Sequence, residues 1–274
     1  MNRALRFGRL LCRPSCLMFI AALMLPLHAG PARADRRYFL HTYSPFLHPT
    51  GEMEIETWLT SRTGKQDASS TTWEPRVEFE YAMHGRLGTA AYLNFRKEPG
   101  NDLKLHSPSL ELIYSLAERG RIAGDPALYV EASETGSELE LESKLLLARR
   151  QGRWLSGMNV IGEFEFRHDD EELLPSGKVL KNAFAGEVSG GVAYEFGKHV
   201  AFGLESRYRS EHPNFGGQSA AMLSVGPSFN LSLGEAQFAL GVLPQIWGTP
   251  STSGRLNLDA FERVQVRAIV GIEL

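Results

Sequence analysis

The 274-residue chain carries 29 Lys+Arg against 32 Asp+Glu, a formal net charge of −3, and two cysteines. That acidic balance argues against nucleic acid, whose phosphates reward a basic face. Beyond residue 34 there is no cysteine, which excludes disulfides and thiol catalysis there, and no apolar run long enough for a membrane-spanning helix.

The first residues read as a secretory signal peptide. Arg3, Arg6, Arg9 and Arg13 precede an apolar stretch from Cys16 to Leu27, and Ala32-Arg33-Ala34 gives the small-x-small pattern before a cleavage point. Residues 1–34 are expected to be removed, so that Asp35 starts the mature chain. Loss of five arginines and no acid then leaves 24 Lys+Arg against 32 Asp+Glu, a net of −8. Residues 35–50 are expected to form a periplasmic N-terminal segment and residues 51–274 one barrel, because no Pro- or Ser-rich linker divides them.

From residue 51 onward the dominant signal is alternation with period two. In Gly51–Thr60, Met53, Ile55, Thr57 and Leu59 share one face and Glu52, Glu54 and Glu56 the other. Trp73–Met83 repeats it, with Val77, Phe79, Tyr81 and Met83 against Glu74, Arg76, Glu78 and Glu80. Successive strand side chains point to opposite faces, so each segment has an apolar and a charged wall. Ten more segments follow: Leu87–Phe95, Pro108–Leu116, Ala127–Ser133, Glu138–Ala148, Met158–Arg167, Ala183–Phe196, Val200–Arg209, Ala221–Leu231, Ala236–Pro244 and Val264–Leu274. Glu138–Arg150 is rich in helix formers, but its clean alternation favours a strand. Pro75, Pro108 and Pro244 fall at strand ends; Pro227 falls mid-strand, where a bulge is expected.

Alternation does not say which face is outside. A soluble sandwich would turn the apolar wall inward. Export favours the membrane arrangement, and so do the connections, which alternate between tight turns and longer polar loops as in bacterial barrels. Glu134–Ser137 is short where a long loop is expected, and Ala117–Asp125 is long where a tight turn is expected. Trp58, Trp73, Tyr81, Tyr114, Trp154, Tyr194, Tyr208 and Trp247 sit near segment ends, as interfacial girdles require. The final strand, Val264 to Leu274, is apolar at every second position. The expected fold is all-β: a transmembrane antiparallel up-and-down barrel of about twelve strands in the outer membrane of a Gram-negative bacterium.

These features resemble Gram-negative outer-membrane barrels as a class. More locally, Tyr43–Gly64 (YSPFLHPTGEMEIETWLTSRTG) resembles the opening strand of uncharacterised barrel families grouped with the phenol-degradation-linked outer-membrane transporter-like proteins. Tyr194–Glu205 (YEFGKHVAFGLE) resembles the hairpin that recurs late in such barrels. The resemblance implies transport without catalytic residues. Twelve-strand lipases place a Ser and a His on neighbouring positions at the outer lip; His106-Ser107, at a loop-to-strand junction, matches that poorly.

The candidate site is the lumen. Glu54, Glu56, Glu78, Glu80, Glu140, Glu142, Glu163 and Glu165 are expected to project inward, as are Glu205, Arg207, Arg209 and Arg267, with Arg76, Lys144 and Arg167 inside the acidic sector. Facing charge walls would select a polar solute in a pore. The same residues would instead close the interior if Glu–Arg pairs fill it. His168-Asp169-Asp170-Glu171-Glu172 lacks the glycine and ligand spacing of a calcium loop and reads as a solvated acidic loop, so no metal ligands are assigned. His106, His168 and His212 fall in outer loops without triad spacing, and Gly190-Gly191 and Gly216-Gly217 lack the context of a phosphate cradle. The reading is therefore a passive channel for small polar or charged solutes, with no cofactor and no catalysis. A closed structural or surface-interaction barrel and an outer-leaflet lipid-modifying enzyme are the alternatives. The expected partners are outer-membrane lipid, lipopolysaccharide, the barrel-assembly machinery and a small polar solute.

Overall fold

Strands that are apolar on one face and charged on the other must pair along both edges if no water is at hand, and closure achieves this. The computed structural model describes residues 37–65, 71–168, 172–173 and 179–274; the expected signal peptide, residues 1–34, lies outside them. Among the described residues fourteen strands run in chain order: β1 (Met53–Thr63), β2 (Thr72–Ala82), β3 (Leu87–Arg96), β4 (Lys104–Ser115), β5 (Ala127–Glu134), β6 (Glu138–Gln151), β7 (Trp154–Arg167), β8 (Glu172–Leu173), β9 (Val179–Leu180), β10 (Asn182–Phe196), β11 (Val200–Pro213), β12 (Ala220–Leu233), β13 (Ala236–Thr249) and β14 (Val264–Glu273). β8 and β9 form a separate two-stranded hairpin. The other twelve close into one antiparallel barrel, shut by β1 against β14 from Glu54↔Glu273 to Thr63↔Val264.

All twelve expected segments are barrel strands, and several are longer than the alternation suggests. β6 and β7 continue the ladder from the expected boundary at Ala148 to a two-residue turn, Gly152-Arg153, where Gly152 takes a φ of +60°. The tight turns share one end of the barrel with the start of β1 and the end of β14; that end also carries the long 116–126 connection. The opposite end carries 97–103, 214–219 and 250–263 and the short 135–137 connection. By the rule for bacterial barrels the tight-turn end is periplasmic.

The outer wall is apolar along its middle. Leu110 (68% exposed), Leu112, Val130, Val160, Val188, Phe202, Leu204 and Val270 all face outward. In water this belt would be an aggregation liability; in hydrocarbon it meets its own kind, so the barrel spans a membrane. Near the tight-turn end Trp154, Tyr194, Phe196 and Phe202 form a chain of ring contacts with centroids 4.8, 4.9 and 5.7 Å apart. Trp58 corrects the girdle expectation. It shares parity with Glu56 and Thr60, points inward and is only 2% exposed. Being near a segment end does not override the face that period two assigns.

The bulge expected at Pro227 lies elsewhere. The register shifts between Leu223 and Ser224, where Leu223 faces Trp247 and Ser224 faces Gln245, so the extra residue is Ile246 on β13. Val225–Pro227 have no ladder partners on β13, although Pro227 still pairs with Leu204 on β11. A proline without an N–H is tolerated where one neighbouring ladder is already interrupted.

A second correction concerns the N-terminal segment. Residues 37–48, expected in the periplasm, run inside the barrel. They carry Tyr38, Phe39, Leu40 and Tyr43 into buried positions and find hydrogen-bond partners on the luminal wall.

Candidate functional site

The segment entering the lumen is an extended stretch, and its backbone groups need partners that an apolar core cannot give. The luminal wall supplies them. The Glu205 carboxylate accepts the backbone N–H groups of Leu40 (2.9 Å), His41 (2.9 Å) and Thr42 (2.7 Å). Arg267 donates to the Leu40 carbonyl at 2.6 Å, Ser189 to the His41 carbonyl at 3.3 Å, and Asn230 to the Arg37 carbonyl. The Arg37 N–H donates to Gln237, and its guanidinium meets Glu56 at 3.0 Å and Glu78 at 3.2 Å. The Tyr38 hydroxyl lies between Glu195 and Arg150. One short stretch thus uses carboxylates, two amides, a hydroxyl and two guanidiniums from well-separated strands.

Packing completes the plug. Tyr38 and Phe39 bury against Leu155, Ala193 and Ala201, and Tyr43 against Trp58, Ile113, Tyr129 and Leu146. Lys144 Nζ sits 3.9 Å from the ring centres of both Tyr43 and Tyr129, and the Arg37 guanidinium lies 4.5 Å from that of Tyr43. Room for this comes from missing side chains. A Cβ at Gly191 would collide with the Phe39 ring, and one at Gly241 with Leu40.

Beyond the plug, toward the long loops, lies a cavity of about 590 Å³. His41 and Tyr43 border it on the plug side; Lys65, Glu98, Glu138 and Glu211 border it toward the loop ends. Its charged lining is mostly paired, as burial demands. Arg62 holds Glu74 (2.7 Å) and Glu262 (2.9 Å), Arg207 holds Glu187 (2.7 Å), Lys144 holds Glu142 (2.6 Å), and Arg209 holds Glu163 (2.7 Å) and Glu211 (2.6 Å). Glu262 belongs to the 250–263 loop. Burial raises its pKa, but Arg62 and then Arg207 outweigh that and hold it below the usual carboxylate value.

Glu140 and Glu165 differ. They are direct partners across β6 and β7, and among the described residues no cation lies within ion-pair distance of either. Arg267 is their counterpart. It donates to Thr60 (2.8 Å) and to Leu40, but meets no carboxylate at ion-pair distance among the described residues. β6 and β14 are six places apart in a ring of twelve strands, so these charges belong to opposite walls.

The structure therefore divides the twelve residues singled out in the lumen. Glu56, Glu78, Glu205 and Arg267 bind the plug. Glu54 and Glu80 sit with His48 at the periplasmic rim. Glu140, Glu142, Glu163, Glu165, Arg207 and Arg209 line the cavity, Arg267 being shared. Sequence reasoning missed Arg37, Tyr38, Phe39, Tyr43, His48 and Trp58. The signals that pointed to them were the aromatic-rich Tyr38–Phe46 stretch and the small luminal residues Ser189, Gly191, Ala193 and Gly241. The loop histidines are separate: His168 lies 3.4 Å from Glu134, and His212 contacts Ser210 at 3.3 Å. Ser107 accepts from Asn94 rather than from its neighbour His106. Asp169, Asp170 and Glu171 of the acidic loop lie outside the described residues.

No protein-family model and no curated protein matches the chain. Solved structures do match its fold. The NanC porin aligns with a TM-score of 0.54 at 11% identity, over 80% of this chain and 100% of that one. An outer-membrane channel from Pseudomonas putida F1 aligns with a TM-score of 0.53 at 10% identity, over 83% and 97%. At such identities the likeness is one of fold: a porin-like β-barrel.

Proposed function

We propose that this protein is a passive outer-membrane channel for small polar or charged solutes. Its charged outer vestibule leads to a periplasmic half closed by residues 37–48. The observation that carries this is the 590 Å³ cavity, lined by charged side chains yet walled by lipid-facing strands. A barrel built only to anchor loops has no need of a polar interior volume of this kind. The vestibule also suits a solute with separated charges, since Glu140 and Glu165 face Arg267 across it. The fold likeness to a porin and to an outer-membrane channel supports both the reading and its location. Lipid contacts the outer wall; lipopolysaccharide at the loop end, and the assembly machinery during biogenesis, are the partners we infer. We infer no catalytic role, since the loop histidines are dispersed and His168 and His212 contact other neighbours.

The plug itself favours a second reading, a closed barrel that presents its loops. Planar-bilayer recording decides between them. The channel reading expects discrete conductance from the full chain, larger after deletion of residues 37–47. A silent bilayer from both proteins would leave the closed barrel as the function.

A further inference from the structure

Where the N-terminal segment meets the periplasmic rim, His48 lies among carboxylates. Its Nε2 is 2.9 Å from Glu54 and 3.9 Å from Glu80; its Nδ1 is 3.6 Å from Glu273. The three glutamates are in register across adjacent strands, since Glu54 is the direct partner of Glu273 on one side and Glu80 on the other. Like charges directly opposite on a ladder repel, and these are drawn further from water by the plug above them. The nearby guanidinium, Arg37, is bound to Glu56 and Glu78 instead. Gln237 donates an amide hydrogen to Glu54 at 2.6 Å, which satisfies an oxygen but brings no charge. Even a protonated imidazole would leave this row of carboxylates in excess.

The ligand atoms of His48, Glu54 and Glu80 all lie within 4.8 Å of one another, and a cavity of about 40 Å³ borders all three. That volume exceeds the roughly 10–15 Å³ a single water requires. We propose that His48 Nε2, Glu54 and Glu80 form a site for a divalent cation of the zinc type. An imidazole nitrogen with two carboxylate oxygens suits Zn²⁺, whereas Ca²⁺ and Mg²⁺ take oxygen ligands. Glu273, on the Nδ1 side, is where a carboxylate orients a metal-bound imidazole. The ion fixes the last residue of the luminal segment to β1 and β2 and offsets the charges of its two carboxylate ligands. None of this depends on whether the barrel conducts.

The test is calorimetric titration of Zn²⁺ into the full chain, purified in detergent and stripped with a chelator. The expected result is one saturable site per barrel, weakened about tenfold or more by His48→Gln and by Glu80→Gln. Both variants are first checked for the heat-dependent gel shift of a folded barrel, and if one fails to fold the other decides. About a hundredfold excess of Ca²⁺ or Mg²⁺ is expected to leave the site filled. Absence of a saturable site, affinity unchanged by the folded variants, or ready displacement by Ca²⁺ would each overturn the proposal.

Discussion

Glu205 concentrates more of the plug's bonding than any other wall residue, because three consecutive backbone donors converge on its carboxylate. Glu205→Ala leaves those donors buried beside a methyl group, and bonds to a charged acceptor contribute about 1.5–3 kcal/mol each, net of exchange with water. Re-solvation means leaving the lumen. The expected outcome is a barrel that still shifts on heating but whose residues 37–48 become open to protease. Gly191→Val approaches the same state through packing, since a side chain there takes the volume of the Phe39 ring. Protection of the segment in both variants would show that neither contact holds it.

At the scale of the strand, energetics depend on which face a residue takes. Leu110, midway along β4, is wholly lipid-facing, while its neighbours Ser109 and Glu111 are buried on the luminal side. Leu110→Arg should destabilise the barrel by about 2–4 kcal/mol in denaturant titrations from lipid vesicles. A far smaller loss would place Leu110 outside the hydrocarbon. This two-sided environment is also why the strands were legible: lipid and lumen impose opposite demands on alternate residues, and period two records them. Legibility ended where the contrast ends. Arg149–Arg153 is polar on both faces, so the ladder there carried no periodic signal, yet the backbone pairs to Gln151 and Trp154. The plug was illegible for a related reason. Residues 37–48 have no regular hydrogen-bond pattern of their own, and their partners are spread from Glu56 on β1 to Arg267 on β14. No local window contains both halves of such an interaction. Trp58 read as an interfacial residue because its partner, Tyr43, lies in that same segment, 6.1 Å away between ring centres.

For the whole molecule, the question is what the barrel's charge does once the plug is displaced. Most cavity charges cancel locally, and cancelled pairs contribute rigidity rather than selectivity. The uncancelled ones should set ion preference. Glu140 and Glu165 repel each other and do not both carry a full charge. One carboxylate charge about 8 Å from a passing cation contributes about 0.5 kcal/mol at the dielectric of water, roughly a twofold bias, less as salt rises. In the Gly191→Val background, the double change Glu140→Gln/Glu165→Gln should therefore remove a cation preference of about that size, read as a reversal potential under a low-salt KCl gradient. Arg267→Gln should move the same potential in the opposite direction. An unchanged potential in the double variant would mean that solutes do not pass the β6–β7 wall, and that the acidic pair faces a cul-de-sac rather than a path. A shift in both variants, with opposite signs, would mean that one passage is read from its two sides. The vestibule would then discriminate by charge geometry while the N-terminal segment governs whether anything crosses at all.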